Sequence, residues 1–433
     1  MKRRERLRYA MAWALVTAVI GLVGCVENVS YRLAPGSGNT PGPAQQAWLK
    51  GDHESEVFVV EFDDQGELWP TGERQFVLSR IEDLVRDMAQ GGPPLTVLVF
   101  VHGWHHNAKA GDANLESFRS VLGKLAGSPA FSARRWLGVF TGWRGEAVSL
   151  PPLNFLTYWN RRNAAARVGG IPFAHFLADL ATRVQSNDEN MMLVIGHSFG
   201  ARVVETSVTN VLGFYTGMTE GGSKPKPLLD LVVLLDEASE ALRAKAMIDT
   251  FRHEGAWPGA PQLVSITSTQ DTATGFAFPL GQGFLALRER FRDYRNEGRP
   301  EEQALPNQEE LFTHTAGWTP ALWSHCVTVA PAGYQEANQP PDVVPFSISG
   351  LEPGATPDYL LVPIQNTACA GKGGSFNSGT PYWILQVPDE IILNHNDIFN
   401  EHLQGLLGGI VFKYFGSSEV IKSNKIKRMQ PSR

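Results

Sequence analysis

Several features that would place this chain in a familiar binding or redox class are missing. It has three cysteines in 433 residues and no Cys-x-x-Cys pair, which excludes a thiol–disulfide redox motif and a cysteine-rich zinc module. No Gly-x-Gly-x-x-Gly follows a strand-like run and no glycine-rich loop ends in Gly-Lys-Ser/Thr, so neither a dinucleotide cradle nor a phosphate loop is legible and no cofactor is expected. Basic excess is absent too: 38 Lys and Arg against 44 Asp and Glu leave a net charge of -6, which offers no attraction to phosphate backbones and argues against a nucleic-acid partner. Charged residues make up only 19% of the chain, while 43% is hydrophobic, with 11 Trp and 23 Phe, so a disordered chain is excluded and a sizeable core is expected. The length suits one large domain with insertions or two ordinary ones.

What is present begins with an address. Lys2, Arg3, Arg4, Arg6 and Arg8 precede an apolar run over 9–24 that is too short for a comfortable membrane span, and the run ends Leu22-Val23-Gly24-Cys25. This layout resembles the signal and lipobox of bacterial lipoproteins. The resemblance implies that residues 1–24 are a signal peptide cut before Cys25, that Cys25 carries the lipid, and that the protein is exported and anchored to the cell envelope. Val26, where an inner-membrane protein would carry Asp, implies the periplasmic face of the outer membrane. Residues 25–50, with Ala-Pro-Gly-Ser-Gly-Asn-Thr-Pro-Gly-Pro over 34–43, read as a flexible tether, 51–415 as the folded domain and 416–433 as a basic tail. In a compartment that permits disulfides, Cys326 and Cys369 are expected to pair, the alternative being two buried free thiols.

Along the body, strand-like runs alternate with helical patterns, which predicts an α/β fold with a mostly parallel sheet covered by helices on both faces. Strands are expected over 57–62, 95–101, 137–140, 191–195, 229–235, 263–267 and 383–387. Helices are expected over 77–88, 115–125, 173–184 and 201–212. Residues 281–381 show no clear period and read as a large insertion or lid before the last strand.

The chemistry is concentrated after the strand at 191–195, where Gly196-His197-Ser198-Phe199-Gly200 leads into a helix. A chain that leaves a strand and enters a helix within a few residues forces its central residue into strained dihedrals, and flanking glycines let the backbone pass. Ser198 would then stand exposed at the carboxyl end of the sheet, where open α/β folds bind ligands. This element resembles the nucleophile elbow of the α/β-hydrolase family, in its serine esterase and lipase branch, and the resemblance spans roughly residues 57–412. It implies a triad in the chain order Ser, acid, His. His395, after the last predicted strand and before a C-terminal helix, is the expected base; His402 lies inside that helix, and His314 and His325 lie in the insertion. Asp271, after the strand at 263–267, is the favoured acid, with Asp236 at the end of the preceding strand as the alternative; Asp271 also reads as a helix cap.

The family resemblance assigns the oxyanion donors to the backbone N–H groups of Phe199 and Trp104, the latter in His102-Gly103-Trp104, with His102 supporting the loop. His102, His105 and His106 cluster locally, but no carboxylate-rich or cysteine-rich segment stands nearby in sequence and no metal is expected. The implied substrate is a small-molecule or lipid carboxylic ester, with Trp104, Trp143, Trp159 and Phe199 as candidate acyl-pocket residues and the membrane, through Cys25, as the other partner. Two other readings remain open: a silent hydrolase-fold envelope lipoprotein acting as a binding or assembly component, and a thioesterase, amidase or acyltransferase using the same three residues.

Overall fold

In the computed structural model, residues 26–34, 45–53, 55–148, 157–217, 229–253, 260–336, 340, 342–349, 356–374 and 376–416 are described. The expectations for residues 1–25, for 35–44 within the tether and for most of the basic tail lie outside them.

Eight strands form one sheet: β1 (Trp48–Lys50), β2 (Glu56–Glu61), β3 (Leu95–Val101), β4 (Arg135–Gly142), β5 (Met191–His197), β6 (Leu231–Leu235), β7 (Leu263–Ser268) and β11 (Tyr382–Val387). Their order is β1-β2-β4-β3-β5-β6-β7-β11; β1 is antiparallel to β2, and every other pair is parallel. The central strands are apolar on both sides because both sides are covered. Val97, Val99 and Val101 of β3 face one core, while Leu98 and Phe100 face the other. The first core is closed by helices α1 (Glu73–Ala89), α3 (Tyr158–Val168), α4 (Ile171–Val184), α5 (Phe199–Gly217) and α6 (Ala241–His253). The second is closed by α2 (Ala113–Gly127) and, after α7 (Phe278–Ala286), α8 (Tyr294–Glu297) and α9 (Gln308–Thr313), by the C-terminal helix α10 (Glu401–Phe415).

Between β7 and β11, which are neighbours in register, the chain makes a detour through α7, α8, α9 and a second, antiparallel sheet of β8 (His325–Val329), β9 (Val344–Phe346) and β10 (Tyr359–Pro363). These strands are short and only partly apolar, which is why the sequence shows no period there. The small sheet has its own core, in which Cys326 and Cys369 form a disulfide with Cα atoms 6.0 Å apart. A bridge across a separation of 43 residues restrains the unfolded chain by about 4 kcal/mol on loop-closure entropy. Replacing both cysteines by alanine is therefore expected to lower stability to urea by that order; an unchanged unfolding midpoint would remove the bridge from the stability of this segment.

The folded body begins earlier than residue 51. The buried carboxylate of Glu61 accepts hydrogen bonds from Ser30 Oγ (2.8 Å), Tyr31 N (2.9 Å) and Arg32 N (2.8 Å), and Leu33 bridges Gln46. Residues 26–34 and 45–50, expected as tether, are thus packed against the sheet. A buried carboxylate needs donors, and this segment's backbone supplies them.

Candidate functional site

The winding of the sheet reverses between β3 and β5: β3 is followed by β4 on one side and β5 by β6 on the other, which opens a crevice at the carboxyl ends of these two adjacent strands. Ser198 occupies it. Its φ of 55° is left-handed, and it is 6% exposed. The strain is held by close packing: a Cβ on Gly196 would sit 2.6 Å from Ala201 Cα, and one on Gly200 would collide with the carbonyl oxygens of Val101 and His102. Only glycine at both positions lets α5 leave the strand this tightly.

Three side chains from three loops meet here. His395 Nε2 is 3.0 Å from Ser198 Oγ, and His395 Nδ1 is 2.9 Å from Asp271 Oδ1. Asp271 also accepts from Ala273 N (2.9 Å), Thr274 N (3.1 Å) and Thr274 Oγ1, so the capping role and the contact with the imidazole coexist in one carboxylate. Burial opposes its ionisation, but the imidazole of His395 and the donors of Thr274 outweigh burial and hold its pKa below the usual carboxylate range.

Asp236, with φ 44°, is fully buried at the end of β6, and its Oδ1 accepts from Ser268 N at 2.8 Å. Burial, and then the charge of Asp271, push its pKa well above the usual carboxylate range, which favours its protonated form. The two aspartates that the sequence leaves as alternatives are therefore neighbours whose pKa values are pushed in opposite directions, and it is Asp271 that meets the imidazole.

The loop bearing His395 is fixed from several sides. Ser268 Oγ donates to Ile392 O (2.6 Å), Leu393 N donates to Asp397 Oδ2 (3.1 Å), and His197 Nε2 donates to His395 O (2.8 Å). Asp397 thus closes the loop. His197 is buried, and burial drives its pKa far below the ordinary value, so it is neutral and its Nε2 carries the proton that meets the carbonyl. Sequence reasoning missed His197 and Ser268, because each acts through a contact with a loop more than a hundred residues away.

Gly103 abuts the elbow: a Cβ there would lie 2.9 Å from Ser198 Cβ. Beneath it His102 is fully buried and held to a pKa of about 4 by burial. Its Nε2 accepts from Trp143 N (3.1 Å), its Nδ1 donates to Gly103 O (3.0 Å), and Trp143 Nε1 donates to His102 O (2.9 Å). Asp112 caps α2 and also takes Asn107 N (3.1 Å) and His106 Nδ1 (3.2 Å), pinning the loop to that helix. Phe199 opens α5, where a backbone N–H has no intrahelical acceptor.

Trp104, Tyr158 and Phe199 form an aromatic wall, with ring centroids 5.4–6.1 Å apart. Trp143, expected as a pocket residue, is instead buried with its ring stacked on His102 at 5.7 Å, and Trp159 lies at the surface. Behind the wall Glu240 binds Arg202 (2.6 Å), Arg162 and Gln282 Nε2 (2.7 Å), joining α3, α5 and α7; burial works against its charge, yet the two guanidinium groups bring its pKa down to about 2.

Among the described residues, His197, Asp236 and His395 place ligand-type atoms within 4.8 Å of one another. That donor set suits a cation poorly, since His197 Nε2 is committed to a carbonyl and burial disfavours the charged form of Asp236. His105 stacks on Trp104 at 4.0 Å, so the local histidine cluster is split among separate partners. Compared with known protein families the chain matches none, and no curated protein matches it.

Proposed function

We propose that this protein is a serine hydrolase of the α/β-hydrolase family, exported and anchored to the envelope by lipid on Cys25, which cleaves carboxylic esters through an acyl-enzyme. The observation that carries the reading is the continuous line from Ser198 Oγ through His395 to Asp271, with contacts of 3.0 and 2.9 Å, at the carboxyl edge of a parallel sheet. A serine hydroxyl is a weak nucleophile until a base takes its proton, and the base works only if a carboxylate fixes its tautomer and stabilises the imidazolium. All three parts are in reach here, in the chain order Ser, Asp, His, with the nucleophile on a strained strand-to-helix turn.

In this mechanism His395 Nε2 takes the hydroxyl proton as Ser198 Oγ attacks the ester carbonyl. The negative oxygen of the tetrahedral intermediate lies against the N–H groups of Phe199 and Trp104, each donor being worth roughly 3 kcal/mol in such sites. The proton on His395 then passes to the leaving alcohol, and a water activated by the same imidazole releases the acid. The wall of Trp104, Tyr158 and Phe199 favours an acyl group with substantial apolar surface, as in lipid esters.

A fluorophosphonate probe is expected to label the wild-type chain and to leave Ser198→Ala unlabelled. Labelling that persists in that variant, or a folded wild-type chain that takes up no probe, would sink the reading.

A further inference from the structure

Immediately after Asp271 a π-type turn over Ala273–Ala277 runs into α7. Phe278, Gln282 and Ala286 are buried, but Phe276, Leu280, Phe284 and Leu287 are 71, 57, 59 and 81% exposed. Spacings of four, four and three residues set these large apolar side chains on one face of a continuous helical stretch. Trp159, its ring 6.4 Å from Phe284 and its Nε1 3.4 Å from Gly281 O, extends the patch toward the aromatic wall of the site. Scattered apolar residues on a surface are ordinary; a contiguous stripe is a contact surface. Arg288 and Arg290, with Glu289 between them, follow the stripe, and all three are exposed.

The point at which residues 1–25 join the folded body lies on the same rim. Val26 N donates to Ala147 O (3.0 Å), and Val26 O accepts from Arg144 Nη1 (2.8 Å), just past the carboxyl end of β4. Arg144 O accepts from Arg161 Nη1 at 2.6 Å. One turn back on α3, Tyr158 packs on α7 so closely that a Cβ on Gly281 would lie 2.8 Å from its ring. A short series of direct contacts thus connects Val26 to the apolar stripe, and Cys25 is the residue before Val26.

We propose that this rim is a membrane-docking face: Phe276, Leu280, Phe284 and Leu287 enter the interfacial layer of the bilayer that holds the Cys25 anchor, with Arg288 and Arg290 among anionic headgroups. An amphipathic face lying in the interface gains from its buried apolar area and from attraction to anionic lipid, and beside a lipid anchor it fixes how the body sits against the bilayer. Among the described residues no helix is long and apolar enough to cross a membrane, so docking here is contact with one leaflet. The proposal deepens the hydrolase reading and rests on it for one consequence: ester lipids would reach Ser198 from the bilayer, past a stripe that begins five residues after Asp271.

The test uses the full-length protein in vesicles of phosphatidylethanolamine and phosphatidylglycerol. Cys326 and Cys369 are paired, so with Cys25 acylated an introduced cysteine is the sole free thiol. Nitroxides at Leu280→Cys and Phe284→Cys are expected to collide with dissolved oxygen about tenfold more, relative to a water-soluble nickel chelate, than a nitroxide at Val329→Cys on the small sheet, which is 76% exposed. Equal chelate access at all three positions overturns the docking face. Labelling of the unsubstituted chain would reveal a free Cys25 and overturn the anchor. The depth signal needs no turnover and is expected unchanged in Ser198→Ala, so failure of the hydrolase reading appears separately, as a missing fluorophosphonate adduct.

Discussion

Asp271→Asn is expected to reduce kcat/KM for a p-nitrophenyl ester by about 10⁴-fold, the order of loss when a triad carboxylate becomes an amide and the imidazole turns to the wrong tautomer. Asp236→Asn is expected to stay within about tenfold of wild type. The two residues differ in their surroundings: His395 and Thr274 hold the Asp271 carboxyl below the usual range, whereas burial and the charge of Asp271 push that of Asp236 well above it. An asparagine is nearly isosteric with aspartate, keeps an oxygen for Ser268 N, and carries no charge at a position where burial already works against one. Steady-state kinetics on the two variants reads the difference directly. The opposite ranking would move the acid to Asp236.

The second large effect concerns stability. Asp64, just beyond β2, takes two hydrogen bonds from Arg161, at 2.7 and 2.9 Å, and a further one from Arg144 Nε at 3.1 Å. Arg161 is among the largest fully buried side chains, at 1% exposure. Asp64→Ala leaves its guanidinium charged, out of water and without its counterion, which costs about 3–5 kcal/mol. The double variant Asp64→Ala/Arg161→Met removes the stranded charge and is expected to regain more than half of the loss. Urea denaturation of both variants and of wild type measures this. A double variant no more stable than Asp64→Ala would show that packing, not the unpaired charge, dominates.

How much of this was legible in the sequence depended on the range of the forces involved. The strand over 191–195 and the glycines at 196 and 200 could be read because continuous apolar character and the need for a side-chain-free turn are local properties. β4 was expected over 137–140 and runs from Arg135 to Gly142, since its ends are set by the neighbours it pairs with. The sequence favours Asp271 and keeps Asp236 as the alternative because both follow adjacent strands; both are buried, and what separates them is one distance to a ring more than a hundred residues away. The run of Gly and Pro over 34–43 makes all of 25–50 read as tether, whereas residues 30–32 dock through the carboxylate of Glu61, some thirty residues on, which composition does not register. The antiparallel sheet in the insertion stayed invisible because its strands are short and draw their order from one another and from a disulfide.

The long detour between β7 and β11 also says where this architecture tolerates growth. Loop-closure entropy rises only with the logarithm of length, so doubling such a segment costs about 0.6 kcal/mol. What holds His395 in place is the parallel register from Tyr382–Leu263 to Val387–Ser268 and the bond from Ser268 Oγ to Ile392 O. Both lie at the base of the detour, where its two ends come together. Accessory modules spliced into its outer reaches would leave the contact between Asp271 and His395 in place, making this the natural port for adding a new surface to an unchanged core.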